Sequence, residues 1–252
     1  MKKRVPIIIV FCLVLLLLFN TSTTNTEILI ELKTSNLPVP VLTYHLVSDN
    51  IFSKMKSLYA RPSEFDNQLK WIIENGYTPI FADELSSNNF EKPIIITFDD
   101  GYIDNYNVVF KLIKKYKVKI TIFVVTNMIN SKHHLTSDQI KEMSASGLVS
   151  IQSHTVSHKN LTKLSNSELN TELDKSRRKI YELTGKYPTA IAYPYGKVNS
   201  QVIKSVKKYY SFGFSLSDGN LSNEKNKLKI SRYGVARKTT IEDIQKYLEK
   251  YT

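Results

Sequence analysis

Pro93-Ile94-Ile95-Ile96-Thr97-Phe98-Asp99-Asp100-Gly101 is the stretch that decides the fold. An apolar run of this kind, without polar alternation, suits a strand covered on both faces, as in a parallel sheet. It runs into two carboxylates and then a glycine fit for a turn. Neighbouring residues on a strand point to opposite faces. Asp99 and Asp100 can therefore share one site only where the strand ends and the chain turns. An Asp pair before Gly also occurs in plain turns, where Asp bonds its own backbone. A second motif favours chemistry. The strand-like run 149–152 leads into Ser153-His154-Thr155-Val156-Ser157-His158, which holds two of the five histidines in the chain. His154, His158 and one Asp offer two nitrogens and a hard oxygen, a set that suits zinc and its first-row neighbours. The second carboxylate stays free to act as a base.

The rest of the chain alternates in the same way. Apolar runs predict strands at 39–44, 94–98, 120–124, 149–152, 190–193, 212–216 and 228–232. Helical periodicity predicts helices at 62–75, 106–115, 137–146, 165–184, 200–209 and 240–251. Ser165 with Glu168 reads as a capping box, and Gly185 as a helix stop. Strands alternating with helices give an α/β fold, a parallel sheet with helices outside. Reactive groups then gather at the C-terminal strand ends.

These motifs carry a resemblance. Thr97-Phe98-Asp99-Asp100-Gly101 and His154-Thr155-Val156-Ser157-His158 are similar to the first two motifs, TFDDG and H-[ST]-x-x-H, of the polysaccharide deacetylases of the NodB-homology type, carbohydrate esterase family 4. The resemblance spans roughly 37–250. It implies a distorted, incomplete (β/α)7 barrel. It implies Asp99 as catalytic base, with Asp100, His154 and His158 holding one divalent metal: Zn2+, or else Co2+, Ni2+ or Fe2+. The third motif, often R-x-P-Y, corresponds to Ala192-Tyr193-Pro194-Tyr195-Gly196, with alanine in the arginine position. There the Tyr195 backbone N–H is expected to bind the oxyanion, and Pro194 and Tyr195 to shape the sugar pocket. Tyr44, Tyr102 and Tyr193 are further candidates for stacking on sugar. The late L-x-H motif is absent, since no histidine follows His158. Leu42-Thr43-Tyr44-His45 instead resembles the opening of the subgroup acting on poly-β-1,6-N-acetylglucosamine, which implies His45 as the general acid. Arg232 or Arg237 is a candidate to steady Asp99 in place of the missing arginine. His133 and His134 read as surface residues of a polar loop.

The expected activity is N-deacetylation of N-acetylglucosamine residues in an exopolysaccharide of the poly-β-1,6 type, releasing acetate. The alternatives are a peptidoglycan or chitooligosaccharide deacetylase, and a glycan-binding wall protein without turnover. Lys2, Lys3 and Arg4 precede the apolar run 5–19, the pattern of a secretory signal. That run is shorter than the roughly 20 residues of a full span. The organisation read from this is a signal peptide or uncleaved anchor at 1–26, a tether at 27–36 and one catalytic domain at 37–252. The protein is expected to be secreted or held at the cell surface, as a monomer. Cys12, in the leader, is the single cysteine, so no disulfide staples the domain and no thiol nucleophile is on offer. The net charge of +12 is spread over scattered lysines. It suits association with an anionic wall or membrane surface, and no nucleic-acid recognition motif accompanies it.

Overall fold

The computed structural model describes residues 39–51, 56–87, 90–216 and 226–251. The expected leader and tether lie outside the described residues. One compact unit begins at Pro38. Its strands and helices, in chain order, are β1 (Val41–Tyr44), β2 (Leu46–Val47), β3 (Tyr59–Ala60), α1 (Pro62–Glu74), β4 (Thr78–Ile80), β5 (Pro93–Asp100), α2 (Phe110–Tyr116), β6 (Ile120–Val124), α3 (Ser137–Ala145), β7 (Val149–Ser153), α4 (Asn166–Thr184), β8 (Ala190–Ala192), α5 (Ser200–Val206), β9 (Phe212–Phe214), β10 (Tyr233–Gly234) and α6 (Ile241–Leu248). Among the described residues no helix is long and apolar enough to cross a membrane.

Seven strands follow the order β10-β1-β5-β6-β7-β8-β9, with β4 added beside the start of β5. Every pairing is parallel, as alternating strands and helices require. Among the described residues, an isolated bridge from Ile230 to Phe214 and the backbone hydrogen bonds around it draw the ring together between β9 and β10. The result is the curled, incomplete barrel of the (β/α)7 kind that the motifs implied.

Strand alternation sorts side chains into two layers. Leu42, Tyr44, Ile96 and Phe98 face outward and meet Phe65, Leu69 and Ile72 of α1. Val41, Ile95, Phe123, Ala192, Phe214 and Ile230 form the interior. Removing each such large side chain from water stabilises the fold by roughly 1.5–3 kcal/mol. Thr43 and Thr97, paired in register, also face inward and join hydroxyls at 2.8 Å. Asp99 follows Thr97 by two residues and inherits the inward direction.

Two expected elements are corrected. Residues 228–232 do not form a strand; the pairing partner of β1 is Tyr233–Gly234. The segment before it carries only an isolated bridge at Ile230 and directs Arg232 into the barrel. β4 was not expected, because Pro79 interrupts its pattern. It is tolerated because β4 pairs with β5 alone and lies on an edge. The helix expected from 106 begins with a π-helical turn, Asn105–Val109, before α2.

Candidate active site

The last residue of β5 departs from extended geometry. Asp100 has φ +70° and Gly101 φ +74°. The left-handed turn brings the Asp100 carboxylate onto the same side as Asp99, the outcome strand alternation alone forbids. A β-carbon at Gly101 would stand 3.0 Å from Val124 Cγ1, so a side chain there would crowd Val124 as well as strain the positive φ. Asp100 Oδ1 lies 3.6 Å from His154 Nε2 and 3.5 Å from His158 Nε2. These three atoms lie within 4.8 Å of one another. A tetrahedral zinc site with bonds near 2.0–2.1 Å needs donors spaced by about 3.3–3.5 Å, so the set fits a divalent cation. His154 Nδ1 donates to the Ala192 carbonyl at 2.8 Å. That bond fixes the proton on Nδ1 and leaves the Nε2 lone pair facing Asp100. Burial, and then the nearby His154, lower the pKa of His158, which favours the neutral ring a metal requires.

Asp99 stands beside this set, its Oδ2 4.0 Å from His154 Nε2. It is 2% exposed. Burial alone would raise its pKa, but the Arg232 charge and then His154 overcome it and hold the carboxyl well below the usual range. The contact with Arg232 is bidentate: Nη1 donates to Oδ1 at 2.7 Å and Nη2 to Oδ2 at 2.8 Å. Arg232 is itself 1% exposed, lies over the Phe123 ring and also donates to Thr97 Oγ1. Of the two candidate arginines, Arg232 therefore supplies the guanidinium. Arg237 turns away to the Ser48 carbonyl and Asp49.

His45 occupies the break between β1 and β2 and is half-buried. Burial lowers its pKa, while the charges of Asp99 and Asp100 pull the other way, so its ring is within electrostatic reach of both acids. Its segment is gripped from the start of the π-helical turn after β5. Asn105 Nδ2 donates to the His45 carbonyl at 3.1 Å, and the Val47 N–H donates to Asp104 Oδ2 at 2.5 Å. The sequence reading missed both residues; an acid and an amide where an apolar helix start belongs are the signal available. Tyr195 is in the left-handed region, φ +60°, and 60% exposed, with its ring centroid 4.7 Å from that of His158. Gly196 makes room behind it, since a β-carbon there would come 2.6 Å from the Leu216 nitrogen.

Three expected sugar contacts are corrected. Tyr44 is 1% exposed, stacks on Phe98 and donates its hydroxyl to Gln68, so it belongs to the core. Tyr193 is fully buried and donates to the Leu228 carbonyl. Both point outward from their strands towards the helices, opposite to the site. Pro194 is buried as well and shapes the turn from behind. Tyr102 is half-buried, stacked on His134. Burial, and then the adjacent Asp100 charge, raise its pKa. His133 and His134 do not join the metal set.

Asp104 makes one pH effect predictable. Burial raises its pKa to about 6, against the opposing Val47 N–H, and its Oδ1 is buried without a protein hydrogen-bond partner. A folded-state pKa above the unfolded value of about 3.9 means stability is fully present below pH ~4 and is lost as pH rises through ~6. Asp104→Asn should therefore gain about 3 kcal/mol over the parent at pH 8 and little at pH 4. Urea titrations at the two pH values measure this; an equal gap at both would contradict it.

With this geometry in place, comparison with known proteins is direct. The sequence profile of the family described as "Polysaccharide deacetylase" matches residues 86–211. The chain belongs to this family, the NodB-type deacetylases of carbohydrate esterase family 4. YxkH of Bacillus subtilis, a protein assigned to the polysaccharide deacetylases, is 34% identical over 205 residues, 79% of this chain and 71% of its own. The poly-β-1,6-N-acetyl-D-glucosamine N-deacetylase of Staphylococcus aureus is 28% identical over 198 residues, 71% of this chain and 68% of its own. The crystal structure of a polysaccharide deacetylase from Bacillus cereus matches with a TM-score of 0.78 at 34% identity, over 84% of this chain and 69% of that one.

Proposed function

We propose that this protein is a metal-dependent N-deacetylase of N-acetylglucosamine residues in an exopolysaccharide of the poly-β-1,6 type. The observation that carries the reaction is the anionic Asp99, locked by Arg232, beside a three-donor set of Asp100, His154 and His158. The likeness to the Staphylococcus aureus enzyme supports the substrate. Held by those three residues, a divalent cation, zinc or a first-row neighbour, would polarise the acetamide carbonyl and lower the pKa of water.

The residues divide the remaining work. Asp99 accepts the proton of the attacking water, and Arg232 keeps it ionised and fixed in direction. The Tyr195 N–H faces the carbonyl oxygen and stabilises its developing charge, an effect worth about 3–4 kcal/mol per donor where one has been removed. His45 gives a proton to the sugar nitrogen as the C–N bond breaks, so acetate and a free amine leave. The exposed Tyr195 ring offers a flat apolar face to a pyranose. The basic, apolar start of the sequence supports export, with the domain acting on glycan at or beyond the cell surface.

Acetate release from poly-β-1,6-N-acetylglucosamine and from peptidoglycan tests this reading, using the full-length protein with zinc and with a chelator. Release from the β-1,6 polymer, abolished by chelator and restored by zinc, is the expected result. Release from peptidoglycan alone would reassign the substrate, and release unaffected by chelation would remove the metal from the mechanism.

A further inference from the structure

The loop between the two histidines adopts a conformation that its own residues disfavour. Thr155 has φ +69° and His158 φ +55°, and neither is glycine. Side chains with a β-carbon meet steric resistance there and persist when surrounding contacts over-determine them. Some of those contacts are local. The Thr155 N–H donates to Ser153 Oγ at 3.1 Å, and the His158 N–H donates to Thr155 Oγ1 at 3.1 Å. Others come from the loop after β6, where the Thr126 and Asn127 N–H groups donate to the Thr155 and Val156 carbonyls.

The remaining contacts converge on one buried side chain. Glu172 lies on α4 within the stripe of Leu169, Leu173 and Ile180, where an acid has no packing purpose. Its Oε2 accepts from the Val156 N–H and the Ser157 N–H, both at 2.9 Å. Its Oε1 accepts from Ser157 Oγ at 2.5 Å. Both oxygens are thus spent on the two residues midway between His154 and His158. Helix α4 is 19 residues long and capped at its start by Ser165 with Glu168, so it is a rigid base for such a grip.

We infer that Glu172 is a positioning residue for the metal set: its carboxylate holds the 155–158 turn so that both histidine Nε2 atoms converge on Asp100. This rests on the reading that Asp100, His154 and His158 bind a divalent cation. The grip is geometric, so reach matters more than charge. Asp at 172 keeps the charge and is one methylene short. Gln keeps the reach, with its carbonyl on the two N–H groups and its amide donating to the Ser157 hydroxyl.

Cobalt binding, followed by visible absorption in the full-length protein, provides a readout apart from turnover. Glu172→Asp is expected to weaken Co2+ binding by about 10- to 100-fold, the range seen for partners behind metal ligands. Glu172→Gln should stay within about threefold of the parent. Glu172→Ala should fall with the Asp variant if it folds; the Asp and Gln pair decides the matter if it does not. Equal affinity in the Asp variant and the parent would overturn the proposal. So would the reverse order, tight binding by Asp and weak by Gln, which marks a role for charge alone. Failure of the unmodified protein to bind Co2+ would instead strike the metal reading beneath it.

Discussion

Arg232→Ala should give a protein that is less stable by about 3–5 kcal/mol and slower by two orders of magnitude or more. The stability term follows from what is left behind. Asp99 is buried and both of its oxygens face the guanidinium. Removing one partner of such a pair strands a charge in apolar surroundings, at a cost of about 3–5 kcal/mol. The rate term has a separate origin. General-base catalysis contributes about 10²–10⁴-fold, and it needs an ionised carboxylate aimed at the water. Arg232→Lys is the informative companion. A lysine keeps the charge, but its compact ammonium cannot span both carboxylate oxygens. It should recover part of the stability and little of kcat. Urea titration and steady-state kinetics on a soluble acetylated oligosaccharide measure both terms, and an Ala variant with an unchanged denaturation midpoint would refute the account.

Asp99→Asn should lose turnover by about 10³–10⁴-fold while still binding metal. Asparagine cannot accept the proton, so catalysis falls. Asp99 is not among the three convergent donors, and its Oδ2 stays 4.0 Å from His154 Nε2. Zinc affinity should therefore remain within a few-fold of the parent, as read by competition with a chromophoric chelator. His154→Ala must behave differently and lose both. The Asn variant also strands Arg232, so Asp99→Asn with Arg232→Met should be more stable than either single change, a coupling that double-mutant analysis measures. If Asp99→Asn abolished metal binding, Asp99 would be a ligand and the base would have to be sought elsewhere.

Much of this site is legible from residue order alone. The apolar run into Asp99-Asp100-Gly101 specifies a buried strand and a turn, and the structure adds only that the turn begins at Asp100 itself. The histidine pair is equally plain. What sequence order hides is direction. Tyr44 and Tyr193 look like sugar platforms because they adjoin motif residues, yet period-two alternation sends them to the helices while Thr43 and Ala192 face in. Arg232 was one of two plausible arginines, and the choice depends on a contact across 133 residues. Glu172 is marked by being an acid in an apolar helical stripe, but its partners become apparent only when the loop is folded beneath it.

The ring has a consequence for how the molecule is made. Its closing strand, Tyr233–Gly234, pairs with the first, Val41–Tyr44, and Tyr247 accepts a bond from the Val41 N–H across 206 residues. Contacts of such long sequence separation must overcome loop-closure entropy before they return any stabilisation. Arg232 rides on the same closing segment. Without that closing segment in place, Asp99 lacks the guanidinium that offsets its buried charge. Ring closure and the charge balance of Asp99 are thus one structural event, so a substitution that loosens the pairing of β1 with β10 should loosen Asp99 as well.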